Sequence, residues 1–101
     1  MKVLIQSVNF NADSALITFV EDRVKILEKF HDRIINAEVF LKVQKTSEKE
    51  NKIIEIKVGI PGDDIMVKKQ AAHFEEGVNM AVETLKRQLK KNKEKLTQIN
   101  G

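Results

Sequence analysis

The sequence predicts an α+β domain with its elements in the order β-α-β-β-β-α, a four-stranded sheet with both helices packed on one face. Three observations predict it. Apolar residues recur every three or four positions from Leu16 to Leu27 and again from Phe74 to Leu89, the period of an amphipathic helix. They alternate with polar residues around Val39–Val43 and Ile54–Ile60, the period of a half-buried strand. The dipeptide Pro61-Gly62 then supplies a turn, because Pro presets φ and Gly accepts a positive φ.

Residues 2–9 begin KVLI and read as the first strand. Asp13 is the N-cap of the first helix, where its carboxylate can accept from an orphan amide one turn on. Leu16, Val20, Val24, Leu27 and Phe30 form the stripe of that helix, which is expected to fray over residues 30–33. Residues 35–45 give a second strand, in which Val39, Leu41 and Val43 alternate with Glu38, Phe40, Lys42 and Gln44. The polar stretch 46–51 is a loop, and residues 52–60 return as an antiparallel partner with Ile54, Ile56, Val58 and Ile60 inward. Residues 61–64 are a turn, and residues 65–69 a short fourth strand. A long helix is expected from Ala71 or Ala72, with the stripe Phe74, Val78, Ala81, Leu85, Leu89, Leu96 and Ile99 and a polar gap at Asn92 and Lys93. Gly77 inside it costs up to about 1 kcal/mol relative to Ala.

Length and composition bound the function. The 101 residues make one domain, since a second would have too little chain to bury a core. No apolar run is long enough to span a membrane, and the opening MKVLIQSVNF is too short and too polar for a secretory signal. Cys is absent, which removes disulfides, thiolate metal sites and Cys nucleophiles and fits a cytoplasmic protein. Trp and Tyr are absent too, leaving five Phe, of which Phe40 alone falls on the charged face of its strand. There it reads either as a contact residue on an open sheet face or as a side chain buried under a loop.

Catalytic chemistry is hard to place. His31 and His73 lack metal-ligand spacing and read as solvated or capping residues at helix ends. Asp63-Asp64 reads as turn chemistry, and Glu75-Glu76 as acids suited to the first turn of a helix. No phosphate-binding glycine loop or nucleophile elbow is present. The chain is therefore read as a non-enzyme with neither cofactor nor metal.

Charge carries the strongest functional signal. Residues 86–95, KRQLKKNKEK, hold six basic residues and one acid, a local charge of +5. The rest of the chain keeps twelve basic and fourteen acidic residues, or −2. On a helix Arg87, Lys91 and Lys95 form one ridge, and Lys86, Lys90 and Lys93 another beside it. A polyanion is the matching partner, and about six phosphate contacts at roughly −0.7 each would make affinity fall as about the fourth power of salt. A solvated helix end, favoured by the helix dipole, is the plainer reading of the same run. Arg23, Lys25 and Lys29 would extend the patch if the two helices lie side by side, although Glu21, Asp22 and Glu28 interleave them. An acidic protein surface, such as one of the transcription machinery, would suit the basic helix as well.

Three stretches, FVEDRVKILEKFHDRI (19–34), AEVFLKVQK (37–45) and AVETLKRQLKKNKEKL (81–96), carry a family resemblance. The last follows the pattern Leu-x-Arg-Gln-Leu-x-Lys-x-Lys-x-Lys-Leu closely. On these the chain resembles the short ribosome hibernation-promoting factors, which include the ribosome-associated inhibitor and the sigma modulation proteins. The resemblance covers nearly the whole chain and shares the β-α-β-β-β-α order. It implies a non-enzyme that binds between head and body of the small ribosomal subunit, where mRNA and tRNAs would lie. It implies contacts to ribosomal RNA from two parallel helices, and inactive storage of ribosomes during stationary phase or stress. By position, Arg23 and Lys29 match basic sites of the first helix. Arg87, Lys90 or Lys91, Lys93 and Lys95 match those of the second, and Lys86 adds a cation where the family varies. The family's usual Tyr near the start of the second helix is Glu75 here, and a basic position in the first helix is Ile26. The resemblance implies the short form, a single ribosome-binding domain over residues 1–101 without a C-terminal dimerisation domain. Such a form pairs ribosomes only with a separate ribosome modulation factor.

Overall fold

The computed structural model describes the backbone of residues 1–100 and the side chains of residues 1–94. Its elements are β1 (Lys2–Val8), α1 (Ser14–Lys25), a 3-10 turn (Ile26–Lys29), β2 (Asn36–Val43), β3 (Lys52–Ile60), β4 (Asp63–Ala71) and α2 (Phe74–Asn100). The four strands make one sheet in the order β1-β2-β3-β4. β1 runs parallel to β2 across the α1 crossover, and the remaining neighbours are antiparallel.

Register aligns the apolar face. Ile5, Val39, Ile56 and Val67 stand at one level across all four strands, and Val3, Ala37, Val58 and Ile65 at another. Against them pack Val20, Val24 and Leu27 from the first helical segment, and Val78, Ala81, Val82, Leu85 and Leu89 from α2, all fully buried in one core cluster. The helices touch each other as well as the sheet, so both lie on this face. Phe10 just ahead of α1 stacks on Phe74 at the start of α2, with ring centroids 4.7 Å apart. Phe30 after α1 meets Lys86, and His31 meets Asn92. Contacts that advance together along both helices make them parallel.

Several boundaries differ from the sequence reading. Asp13 caps α1 as expected, its carboxylate accepting from the Leu16 N–H at 2.8 Å. The helix does not fray at 30–33. It tightens at Ile26 into a 3-10 turn, closed by the Phe30 N–H on the Leu27 carbonyl at 2.9 Å, a common way to satisfy the last carbonyls of a helix. β4 is nine residues long rather than five, because the loop is Pro61-Gly62 alone, with Gly62 at φ 79°. Ile60 therefore pairs with Asp63 directly, and Asp63 and Asp64 belong to the strand. β4 follows β3 to its far end, where Ala71 pairs with Lys52, so α2 begins at Phe74 and not at 71 or 72. Gly77 is where α2 lies closest to the sheet: a Cβ there would collide with Cδ1 of Ile54. The expected stripe positions Leu96 and Ile99 lie outside the described side chains.

Candidate nucleic-acid interface

α2 faces the sheet with Val78, Ala81, Val82, Leu85 and Leu89, and helical geometry disposes its cations around the remainder. Arg87 and Lys91 lie towards the β4 side, and Lys91 borders Asp63 and Ile65 at the start of that strand. Lys86 lies towards α1. Arg87, Lys90, Lys91 and Lys93 are all exposed. Asn92 is level with the first residues of β4, so the helix beyond it runs past the end of the sheet. Lys95, the last member of the expected ridge, lies outside the described side chains.

Lys86 is held in the groove between the helices. Its ammonium sits 5.3 Å from the centre of the Phe30 ring and bonds Glu83 Oε1 at 2.9 Å. The Lys86 side chain keeps 22% of its surface exposed, against 62% for Glu83. The hydrogen bond and charge of Lys86, helped by the fields of Arg23 and Arg87, hold the Glu83 carboxyl below the usual carboxylate range. Arg23 thus belongs to this cluster from the α1 side. Its Nε is buried and has no hydrogen-bond partner among the described residues. Arg87 reaches Thr84 Oγ1 at 3.5 Å, a weak contact that leaves the guanidinium on the surface.

The nine basic residues singled out in the sequence therefore separate. Arg23, Lys86 and Arg87 are gathered around Glu83, and Lys90, Lys91 and Lys93 continue the exposed surface along α2. Lys29 is exposed on the 3-10 turn next to Phe30. Lys25 is exposed but lies two residues from Arg23, about 200° around the helix, and so on the opposite side. Two participants escaped the sequence reading. Lys69 of β4 joins Arg87, Thr84, Glu83, Asn79 and Met80 around an open crevice of about 470 Å³. The period of β4 held the signal, since Lys69 shares the helix-facing side with Val67 and Ala71. Glu83 carries no signal of its own in the sequence, because Arg23, whose charge reaches it, is far away along the chain.

His31 corrects an expectation. It is 2% exposed, neither solvated nor a cap. The Arg33 N–H donates to its Nδ1 at 3.1 Å, so the proton sits on Nε2 and is donated to Asn92 Oδ1 at 3.2 Å. The polar gap in the α2 stripe is this partner. His73 is exposed just ahead of α2, and its carbonyl accepts from the Gly77 N–H. Phe40 is half-buried on the sheet face away from the helices, between Gln6 and Glu55. Among the described residues no cluster of His, Asp or Glu is placed to hold a metal ion, and no helix is long and apolar enough to cross a membrane.

Comparison with known proteins covers nearly the whole chain. The family model described as sigma 54 modulation protein / S30EA ribosomal protein matches residues 3–97. Ribosome hibernation promoting factors of Pseudomonas putida and Azotobacter vinelandii are each 28% identical over 95 residues. The matches take in 94% of this chain, with 89% of the first relative and 85% of the second. Among solved structures, the N-terminal domain of Thermus thermophilus Protein Y superposes with a TM-score of 0.77 at 27% identity, covering 90% of this chain and 98% of that one. A ribosomal subunit interface protein from Coxiella burnetii gives a TM-score of 0.81 at 22% identity, with 92% and 98% covered, a likeness of fold.

Proposed function

Because the chain belongs to the sigma 54 modulation protein / S30EA ribosomal protein family, we propose that it is a ribosome-binding translation inhibitor. It occupies the mRNA and tRNA channel of the small subunit and keeps ribosomes in an inactive, hibernating state under stress or in stationary phase. The observation that carries this reading is one surface, built by two parallel helices, on which Arg87, Lys90, Lys91 and Lys93 are exposed beside Arg23 and Lys86. Ribosomal RNA is the polyanion that such a surface fits. Cations at successive turns of a helix track a phosphate backbone, and each contact releases condensed counterions. The protein acts by occupancy, without catalysis or cofactor, and works in the cytoplasm, where its partners are the small subunit and the whole ribosome. Pairing of ribosomes would fall to a separate modulation factor.

Sedimentation of purified ribosomes with the added protein through sucrose gradients tests the reading. The protein is expected to travel with the small subunit and the whole ribosome at low salt. It should be released as salt rises, with a slope near the fourth power. The double variant Arg87→Glu/Lys91→Glu should stay at the top of the gradient while keeping its fold by circular dichroism. Failure of the wild-type chain to co-migrate at low salt would remove the ribosome as partner and return the basic helix to an acidic protein surface.

A further inference from the structure

At the rim of the groove between the helices stands an acid with cations on either side, and this is not how a simple phosphate-binding patch is built. Three cations converge on Glu83: Lys86 by a 2.9 Å bond, and Arg23 and Arg87 through their fields. We propose that Glu83 is the internal counter-ion of the groove, holding Lys86 in the free protein and giving up its place to an RNA phosphate on binding. The proposal rests on the reading of this surface as an RNA interface, and it names the residue that regulates it.

The geometry makes the exchange inexpensive. Glu83 is the exposed partner, 62% against 22% for Lys86, so its carboxylate can swing into water without being buried or stranded. Lys86 stays where it is, its stem in the groove and its ammonium 5.3 Å from the centre of the Phe30 ring. The charge of Arg23, which already reaches Glu83, acts on the phosphate once the carboxylate has left. In the free protein the carboxylate lowers the charge of the cluster from +3 to +2. Loosely held polyanions therefore meet a weaker field than a phosphate that enters the groove and displaces the acid.

Binding of the full-length chain to purified small subunits, measured across a salt series, tests the exchange. Glu83→Gln is expected to bind more tightly at moderate salt, by up to about 5-fold, the upper end of what an exposed ion pair is worth. Its plot of log affinity against log salt should keep the wild-type slope, because Lys86 meets the same phosphate in both proteins. In a Lys86→Gln background the Glu83→Gln gain should vanish, whereas a mere increase in net charge would persist there. Wild-type binding with no gain in Glu83→Gln, or a gain that survives in the Lys86→Gln background, overturns the counter-ion role and leaves the RNA interface standing. Absence of wild-type binding at low salt overturns both.

Discussion

Asn92 interrupts the apolar stripe of α2, and the interruption has a partner 61 residues away. His31 closes the first helical segment, is almost completely buried, and needs an acceptor for Nε2–H. The pair ties the end of the 3-10 turn to the middle of the basic segment of α2, and so sets where Lys90, Lys91 and Lys93 stand. Asn92→Leu leaves the imidazole N–H buried without its acceptor and should lower stability by about 1–3 kcal/mol in urea denaturation. Replacing both residues by Leu should cost less than the sum of the two single changes, because no orphaned polar group remains. From the sequence Asn92 is legible only as a gap, and His31 only as a residue at a helix end. Each acquires its role from the other, and their spacing in the chain gives no hint of the contact. Lys86 and Phe30 are a second instance, a cation and a ring read separately as an RNA contact and a core residue and found together in the groove.

Elements obey their local codes but take their lengths from their neighbours. The capping carboxylate of Asp13, the alternation in β2 and β3 and the turn at Pro61-Gly62 are all local chemistry, and all appear where the sequence put them. β4 outruns its expected length because β3 offers nine residues of ladder to pair with, whatever the propensities of Asp63 and Asp64. The same extension postpones α2 to Phe74. Gly77 shows the conflict of scales most directly. Helix propensity alone makes Gly77→Ala stabilising by up to about 1 kcal/mol. In the folded protein the added methyl meets Cδ1 of Ile54, so the change should instead destabilise by about 1–3 kcal/mol, read from the shift of the urea midpoint. Adding Ile54→Val, which deletes that Cδ1, should recover part of the loss.

At the scale of the molecule, one sheet face holds both helices and the parallel arrangement of those helices builds the basic surface. Arg23 comes from α1, Lys86 to Lys93 from α2, and Lys69 from the edge strand β4. The surface is therefore a tertiary object and not a property of the basic run alone. Lys69→Glu should weaken ribosome binding several-fold, although it lies outside both helices, because its side chain lines the crevice that Arg87 lines. Lys25→Glu, on the far side of α1 from Arg23, should weaken it less. Equilibrium binding to small subunits at fixed salt compares the two directly, and a larger loss for Lys25→Glu would contradict the arrangement of the groove.

Which segments are helix and strand, which face of each is apolar, and that positive charge concentrates near the end of the second helix can all be read along the chain. These follow from side-chain period, capping and turn chemistry, all of which act over a few residues. Family resemblance, carried by the stretches 19–34, 37–45 and 81–96, was legible there too. It takes the tertiary structure to bring Arg23 and Lys86 to one acid and to bury His31 against Asn92. The reason is physical: those relations join positions separated by tens of residues. They arise when packing of both helices on one sheet face brings the positions together, and no local preference encodes that distance.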